Sequence, residues 1–127
     1  MTEHIAPAGV APGFGYSHVV VATGRLVVVS GQVALDESGQ LVGPGDALAQ
    51  ARQVFENLRR CLAAADATFA DVVKFTVYVT DLATITAVRA VRDEYIDTAR
   101  PPASSAVQVA GLVLPDLLLE IDALAVS

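Results

Sequence analysis

Two acidic side chains near the C-terminus are the residues best suited to chemistry. They lie in an apolar run, Leu117 to Val126, that is typical of a β-strand. Strand side chains alternate between faces, so Glu120 and Asp122 project from the same face. A carboxylate so placed can orient a water molecule for hydrolysis. The simpler alternative is a solvated strand face, which the spacing alone favours; we treat Glu120 as the site candidate and Asp122 as structural.

A second strand-like run, Ala103 to Ala110, follows the helix-stopping sequence Arg100-Pro101-Pro102. Its small side chains Ser104 and Ala106 share one face. We expect this strand and the acidic strand to form part of the wall of a site. Ser104 either donates a hydrogen bond to a ligand oxygen or is a small residue at a subunit contact, and the sequence does not separate these alternatives.

Other candidates come from earlier in the chain. Ser30-Gly31-Gln32 ends a predicted strand and either presents backbone N–H groups to a ligand or simply forms a turn. Tyr16 is either a wall of the cleft or a half-buried aromatic residue. Arg100 is expected to be the cation nearest Ser104, although a charge favoured by the end of a helix explains it better. Arg89 and Arg92 are expected to face solvent.

The predicted elements alternate between strands and helices. Residues 1–15 contain two prolines and three glycines and predict a loop or arm. Two strands joined at Thr23-Gly24-Arg25 predict a hairpin. The apolar spacing and the N-cap Asp46 predict a first helix. The full order is β-β-α-β-α-β-β, which favours an α+β fold with a mixed or antiparallel sheet and both helices on one face. The predicted ranges are 16–22, 26–29, 47–65, 72–79, 84–98, 103–110 and 117–126.

Composition restricts the class of protein. A chain of 127 residues predicts one domain, 1–127. The hydrophobic fraction of 54% is high and favours an extensive subunit interface. The net charge of −6 argues against nucleic-acid or polybasic membrane contacts. Two histidines and the single Cys61, expected to be buried and inert, predict neither a metal site nor a disulfide. We expect a cytoplasmic protein without a cofactor or a membrane segment.

Several motifs in a fixed order carry a resemblance to a known family. The matching stretches are Tyr16-Ser17-His18, Val29-Ser30-Gly31-Gln32-Val33, Ala49-Gln50-Ala51-Arg52-Gln53, residues 71–82 (DVVKFTVYVTDL), Pro102-Ala103 and residues 119–126 (LEIDALAV). Through these stretches the sequence resembles the RidA/YjgF (reactive intermediate deaminase) family over nearly its whole length, and their order and spacing are specific.

The resemblance implies a chorismate-mutase-like fold, a homotrimer whose sheets line a central barrel, and a small-molecule cleft between each pair of subunits. Deaminating members hydrolyse 2-imino and enamine acids. Glu120 matches the family glutamate that orients the attacking water, and Tyr16 matches a pocket tyrosine, with one extra residue before Ser30 that predicts a bulge or a longer turn near Ala22-Thr23-Gly24. The resemblance also implies a role for backbone groups near Ser30 and Gly31.

One departure from the family pattern affects the expected substrate. The family arginine that binds the substrate carboxylate is Ser104 here, and a frequent cysteine is Ala106. A desolvated Arg–carboxylate contact contributes about 1.5–3 kcal/mol, so its loss costs roughly 10- to 150-fold in binding. We therefore expect a neutral or differently placed substrate and weak activity on 2-imino acids, which an arginine installed at position 104 should raise. A metabolite-binding or regulatory trimer is the alternative, and RNA cleavage is the least favoured function.

Overall fold

The computed structural model describes residues 2–127. Eight regular elements, apart from two short 3₁₀ turns, make up the chain. In chain order they are β1 (Thr2–Ile5), β2 (Val19–Ala22), β3 (Leu26–Gln32), α1 (Ala47–Ala64), β4 (Val72–Val79), α2 (Ile85–Arg92), β5 (Ala103–Gln108) and β6 (Leu119–Val126).

The main sheet has four strands in the order β3-β6-β4-β5. β6 is antiparallel to both of its neighbours, whereas β4 and β5 run parallel. A second, two-stranded sheet pairs β1 with β2. The predicted α+β class, with a mixed sheet and two helices, is confirmed.

One face of the main sheet forms the core. Leu119, Ile121, Ala123 and Ala125 of β6 are at most 1% exposed, and they belong to the same buried cluster as the apolar face of α1. Alternation places Glu120 and Asp122 on the opposite face, which we call the outer face. The single period-2 pattern of β6 therefore separates the core from the acidic side chains.

Helix α1 begins and ends close to its predicted limits. The Asp46 side chain accepts a hydrogen bond from the backbone N–H of Ala49 at 3.0 Å, which satisfies a donor of the first turn. Gln50 is fully buried, and its side-chain amide donates to the carbonyls of Gly43 and Asp116. Its side-chain oxygen accepts from the N–H of Leu118 at 2.8 Å. This amide thus attaches the helix to the chain segment that leads into β6.

The predicted hairpin is wrong, and the predicted N-terminal loop holds only from residue 6 to residue 15. Residues 2–5 form β1, which pairs with β2, while β3 pairs with β6. Arg25 and Ser127 exchange both backbone hydrogen bonds, at 2.7 and 2.9 Å, and extend the β3–β6 ladder. The physical reason is burial: beside β6, Val27 and Val29 pack into the core at 7% and 6% exposure. Two adjacent apolar runs in a sequence do not reveal such a distant partner.

The second helix is shorter than predicted. α2 ends at Arg92 rather than Thr98, and the chain continues in tight turns in which the N–H of Tyr95 donates to the carbonyl of Arg92. The Tyr95 ring stacks on Phe55 at 5.3 Å, and its hydroxyl donates to Glu56 at 2.7 Å. These contacts of Tyr95 with α1 accompany the early end of α2 and the tight turns that follow it. β5 and β6 are each two residues shorter than predicted.

Neither helix within residues 2–127 combines the length and the hydropathy needed to cross a membrane.

Candidate functional site

A bulge in β3 lies beside the Glu120 carboxylate. The β3–β6 register changes from Val29–Ala123 to Gln32–Ile121, which leaves Ser30 and Gly31 in the irregular segment. A Cβ atom on Gly31 would lie 2.7 Å from Cδ of Glu120 and closer still to Oε2. A side chain at position 31 would therefore displace the flexible carboxylate from its observed position. We call Ser30, Gly31 and Glu120 the Glu120 subsite.

The neighbouring acid has a structural partner. The Tyr78 hydroxyl donates to Oδ2 of Asp122 at 3.2 Å. The negative charge of Asp122 is the largest cause of a raised pKa at Tyr78, followed by that hydrogen bond. Tyr78 is also the β4 partner of Glu120 in the ladder. Among residues 2–127 no hydrogen-bond donor contacts the Glu120 carboxylate, so both oxygens of this half-buried group are available to hold a water molecule.

Ser104 and Ala106 line a cavity of about 110 Å³ at the other face of the sheet. Tyr16 lines the same cavity, so three of the sequence-predicted site residues lie together there. We call this cavity the Ser104 pocket. Its remaining lining residues are apolar side chains from α1, β4 and α2, together with two arginines from α2: Phe55, Phe75, Val77, Ile85, Val88, Arg89 and Arg92.

Arg92 is buried, contrary to the prediction that it faces water. It is 9% exposed, and its Nε and Nη2 atoms donate to Oδ1 of Asp93 at 3.1 and 2.9 Å. A Cβ atom on Gly15 would lie 2.9 Å from Nη2, so the glycine lets the N-terminal segment approach the guanidinium. One sequence signal was available: Arg92 follows the buried Val88 by four residues and so shares its helix face.

Arg100 lies elsewhere. Its Nη2 atom donates to the carbonyl of Thr2 at 3.1 Å, and it lines a different depression with His4 and Phe69. The cations that line the Ser104 pocket are Arg89 and Arg92, which corrects the expectation that Arg100 is the nearest cation. A ligand contact by Arg100 stays a prediction.

The two subsites of one protomer lie on opposite faces of the main sheet. Ser104 is the β5 partner of the buried Phe75, whereas Glu120 is the β6 partner of Tyr78 on the outer face. Paired residues in a sheet project from the same face, so the sheet separates the two subsites. A small ligand can contact both only if they come from two protomers.

The predicted bulge near Ala22 is not in the main sheet. Residues 23–25 form the short connection between β2 and β3, with Gly24 at φ +147°. The irregularity that matters for the site lies at Ser30 and Gly31. Its sequence signal is the Ser-Gly pair, which by itself does not distinguish a bulge from the end of a strand.

The sequence model of the family described as Endoribonuclease L-PSP matches residues 6–127. The chain belongs to this family, which is also named RidA/YjgF. The 3-aminoacrylate deaminase RutC of Acinetobacter baylyi is 37% identical over 97% of this chain and 96% of its own length. A 2-iminobutanoate/2-iminopropanoate deaminase of Capra hircus is 39% identical over 96% of this chain and 85% of its length. The structure of the Rid-family protein YyfB from Yersinia pestis superposes with a TM-score of 0.90 at 40% identity, covering 99% of this chain and 98% of that one.

Membership of the RidA/YjgF family places this chain among proteins that include named deaminases. It does not define the substrate, because the relatives differ in the molecule that their names state. The departure from the family pattern that the sequence resemblance predicts, at Ser104, lies in the Ser104 pocket. The function of this family member is therefore best argued from both subsites together.

Proposed function

We propose that this protein hydrolyses small imines or enamines in clefts between protomers, with Glu120 holding the attacking water. One observation supports this most strongly: the Glu120 carboxylate lies against Gly31, while the neighbouring Asp122 accepts a hydrogen bond from Tyr78. Relatives that carry deaminase names, at 37% and 39% identity, support the same reaction class.

The reaction needs only water and a group that moves protons. Water adds to the imine carbon, so that a C–O bond forms as the C=N π bond breaks. Glu120 accepts a proton from this water and returns it to the nitrogen. Glu120 then transfers the hydroxyl proton of the resulting carbinolamine to its nitrogen. The C–N bond breaks as the C=O π bond forms, and ammonia and a carbonyl compound leave. An enamine enters the same route after its carbon is protonated to give the imine.

The cleft requires at least two protomers, because the two subsites face opposite sides of one sheet. The outer face also carries exposed apolar side chains; Leu26 and Val28 are 63% and 68% exposed. A contiguous apolar face of this kind is typical of a subunit interface. We infer a homotrimer in which the Glu120 subsite of one protomer meets the Ser104 pocket of the next.

The substrate differs from that of arginine-containing relatives. Ser104 carries no charge, so it cannot form a charge-assisted contact with a carboxylate from β5. The substrate is accordingly neutral, or its carboxylate is held from another element.

Imines generated in situ by an amino-acid oxidase test the activity, with ammonia release as the readout. We expect acceleration for at least one imine and a loss of about 10²-fold or more in Glu120→Gln. Asp122→Asn is the matched control, because it lies on the same face two residues away, and it should retain most activity.

Absence of acceleration for every imine, or full activity in Glu120→Gln, would contradict this proposal. Stabilisation by metabolites without turnover would instead support the alternative of a binding or regulatory trimer.

RNA cleavage has less support from the structure. The net charge is −6, whereas RNA binding normally requires a basic surface. Both histidines are engaged near the N-terminus: His4 contacts Ser17 and the carbonyl of Pro101, and His18 contacts the carbonyl of Ala11. Neither histidine lines the Ser104 pocket.

A further inference from the structure

The α2 helix places two guanidinium groups at a pocket that is otherwise mostly apolar. We propose that Arg92, assisted by Arg89, binds the carboxylate of a small ligand in the Ser104 pocket. The choice of carboxylate as ligand rests on the proposed deaminase function, while the site itself rests on the pocket geometry.

The Arg92 guanidinium is held in place but has donors to spare. Nε and Nη2 both donate to the same oxygen of Asp93. Among residues 2–127 no acceptor contacts Nη1, and Nη2 has a second hydrogen. A guanidinium carries five N–H donors in a rigid fork, so a fixed orientation lowers the entropic cost of binding a carboxylate.

The charge at the pocket is favourable for an anion. Arg89 lies three residues before Arg92 and lines the same cavity. Asp93 is 47% exposed and neutralises one of the two positive charges in part. One guanidinium therefore remains uncompensated at the pocket, in a protein that is acidic as a whole.

The remaining lining residues of the pocket define the part of the ligand other than its carboxylate. Phe75, Val77 and Val88 supply apolar contacts, and the Ser104 hydroxyl supplies one polar contact. A cavity of about 110 Å³ accommodates only a few heavy atoms. The ligand class that fits is a monocarboxylate with a short aliphatic side chain, such as a small 2-imino or 2-oxo acid.

The small side chain of Ser104 leaves free the space beside the Arg92 guanidinium. A long cationic side chain at 104 would enter the space that the Arg92 guanidinium adjoins, and two cations there would repel each other. The carboxylate-binding group is thus supplied by the helix instead of the strand. The substrate carboxylate would be placed differently from one held by a β5 arginine.

Calorimetric titration with 2-oxobutanoate, and with its uncharged amide, tests the proposal without requiring turnover. The wild-type protein should bind the acid about 10-fold or more tightly than the amide. Arg92→Gln should weaken binding of the acid by roughly 10- to 100-fold and leave the amide unchanged. Arg52→Gln is the matched control, since its exposed ion pair with Glu94 lies away from the pocket.

A rescue variant separates binding from folding. Arg92→Gln combined with Ser104→Arg should recover most of the affinity for the acid. Ser104→Arg alone should not increase it, because Arg92 already occupies that role; this replaces the expectation from sequence that an arginine at position 104 raises activity on 2-imino acids. Ser104→Asp should abolish binding of the acid by pairing with Arg92. Circular dichroism of each variant establishes that it is folded before it is titrated.

Equal affinity for acid and amide, or wild-type affinity in folded Arg92→Gln, would overturn the proposal. These outcomes are independent of the deaminase function. Turnover that persists unchanged in Arg92→Gln would refute the carboxylate site and leave the deaminase intact. Arginine-dependent binding without turnover would refute the deaminase and leave the carboxylate site intact.

Discussion

At the scale of single residues, the smallest side chains decide where the charged ones can go. Gly31 leaves the space that the Glu120 carboxylate occupies, and Gly15 leaves the space beside the Arg92 guanidinium. The strand alternation in the sequence was sufficient to place Glu120 on a face away from the core. It could not show that Gly31 lies against that carboxylate, because the contact joins residues 89 positions apart through the β3–β6 ladder.

Gly31→Ala tests this dependence. The added Cβ would lie 2.7 Å from Cδ of Glu120 and force the flexible carboxylate to move. We expect the deaminase rate to fall by about 10-fold or more, because misplacement of a catalytic group costs orientation. The melting temperature should change little, because the clash involves the end of a side chain. Gly111→Ala, where the new Cβ has open space, is the control; equal rates in the two variants would refute the packing argument.

Arg92 shows that helical periodicity does not always predict whether a charged residue is buried or exposed. Charged residues on a short amphipathic helix are normally assigned to solvent, and Arg92 was assigned in that way. Its position four residues after Val88 indicated the buried face instead, and Asp93 together with the Ser104 pocket made that burial tolerable. Composition cannot resolve such a case, since the decisive factor is a partner at the next position and a cavity formed by another strand.

At the scale of elements, strong local patterns were predictable and distant pairing was not. β4 was predicted at its exact limits, and α1 within one residue of its end. β1 was missed, because four residues beside a segment rich in proline and glycine give a weak local signal. The pairing of β3 with β6 depends on the burial of Val27 and Val29, which local sequence does not report.

The junction between α1 and the turn after α2 gives a pH-dependent prediction. Hydrogen bonds from Arg59 and then Tyr95 lower the pKa of Glu56 to about 2. A carboxylate whose pKa is lower in the folded state stabilises that state above its ordinary pKa, and the stabilisation disappears as pH falls from about 4.5 towards 2.

Glu56→Gln should therefore lower the free energy of unfolding at pH 7 by about 1 kcal/mol. The figure is modest because a third of the side chain is exposed and Arg59 is more so. Urea unfolding at several pH values should show the difference from wild type shrinking below pH 4.5. Glu37→Gln, at an exposed turn, is the control. A difference that stays constant down to pH 2 would contradict the assignment.

At the scale of the whole molecule, the outer face of the sheet explains the apolar composition. The hydrophobic fraction of 54% exceeds typical globular usage of about 45–50%. Leu26, Val28 and Leu124 carry part of the excess on the outer face. The sequence indicated an interface of this kind from composition alone, but composition could not place it on a particular face.

Val28→Lys tests whether the outer face is the interface. Val28 is 68% exposed in the protomer, and burying a lysine at a subunit contact is costly. We expect wild-type protein to show three times the protomer mass of 13.2 kDa in light scattering, and Val28→Lys to dissociate. Val113→Lys, at a 76% exposed loop position, should keep the wild-type mass. Equal masses for the two variants would argue against this face.

The central claim is that one active cleft combines the Glu120 subsite of one protomer with the Ser104 pocket of its neighbour. Co-refolding of two inactive variants, Glu120→Gln and the pocket-filling Ser104→Leu, tests it directly. In a randomly mixed trimer about a quarter of the clefts would contain neither substitution, so we predict recovery of about a quarter of the wild-type ammonia release. A mixture as inactive as its two parents would contradict the claim, because it would mean that both subsites must come from the same chain.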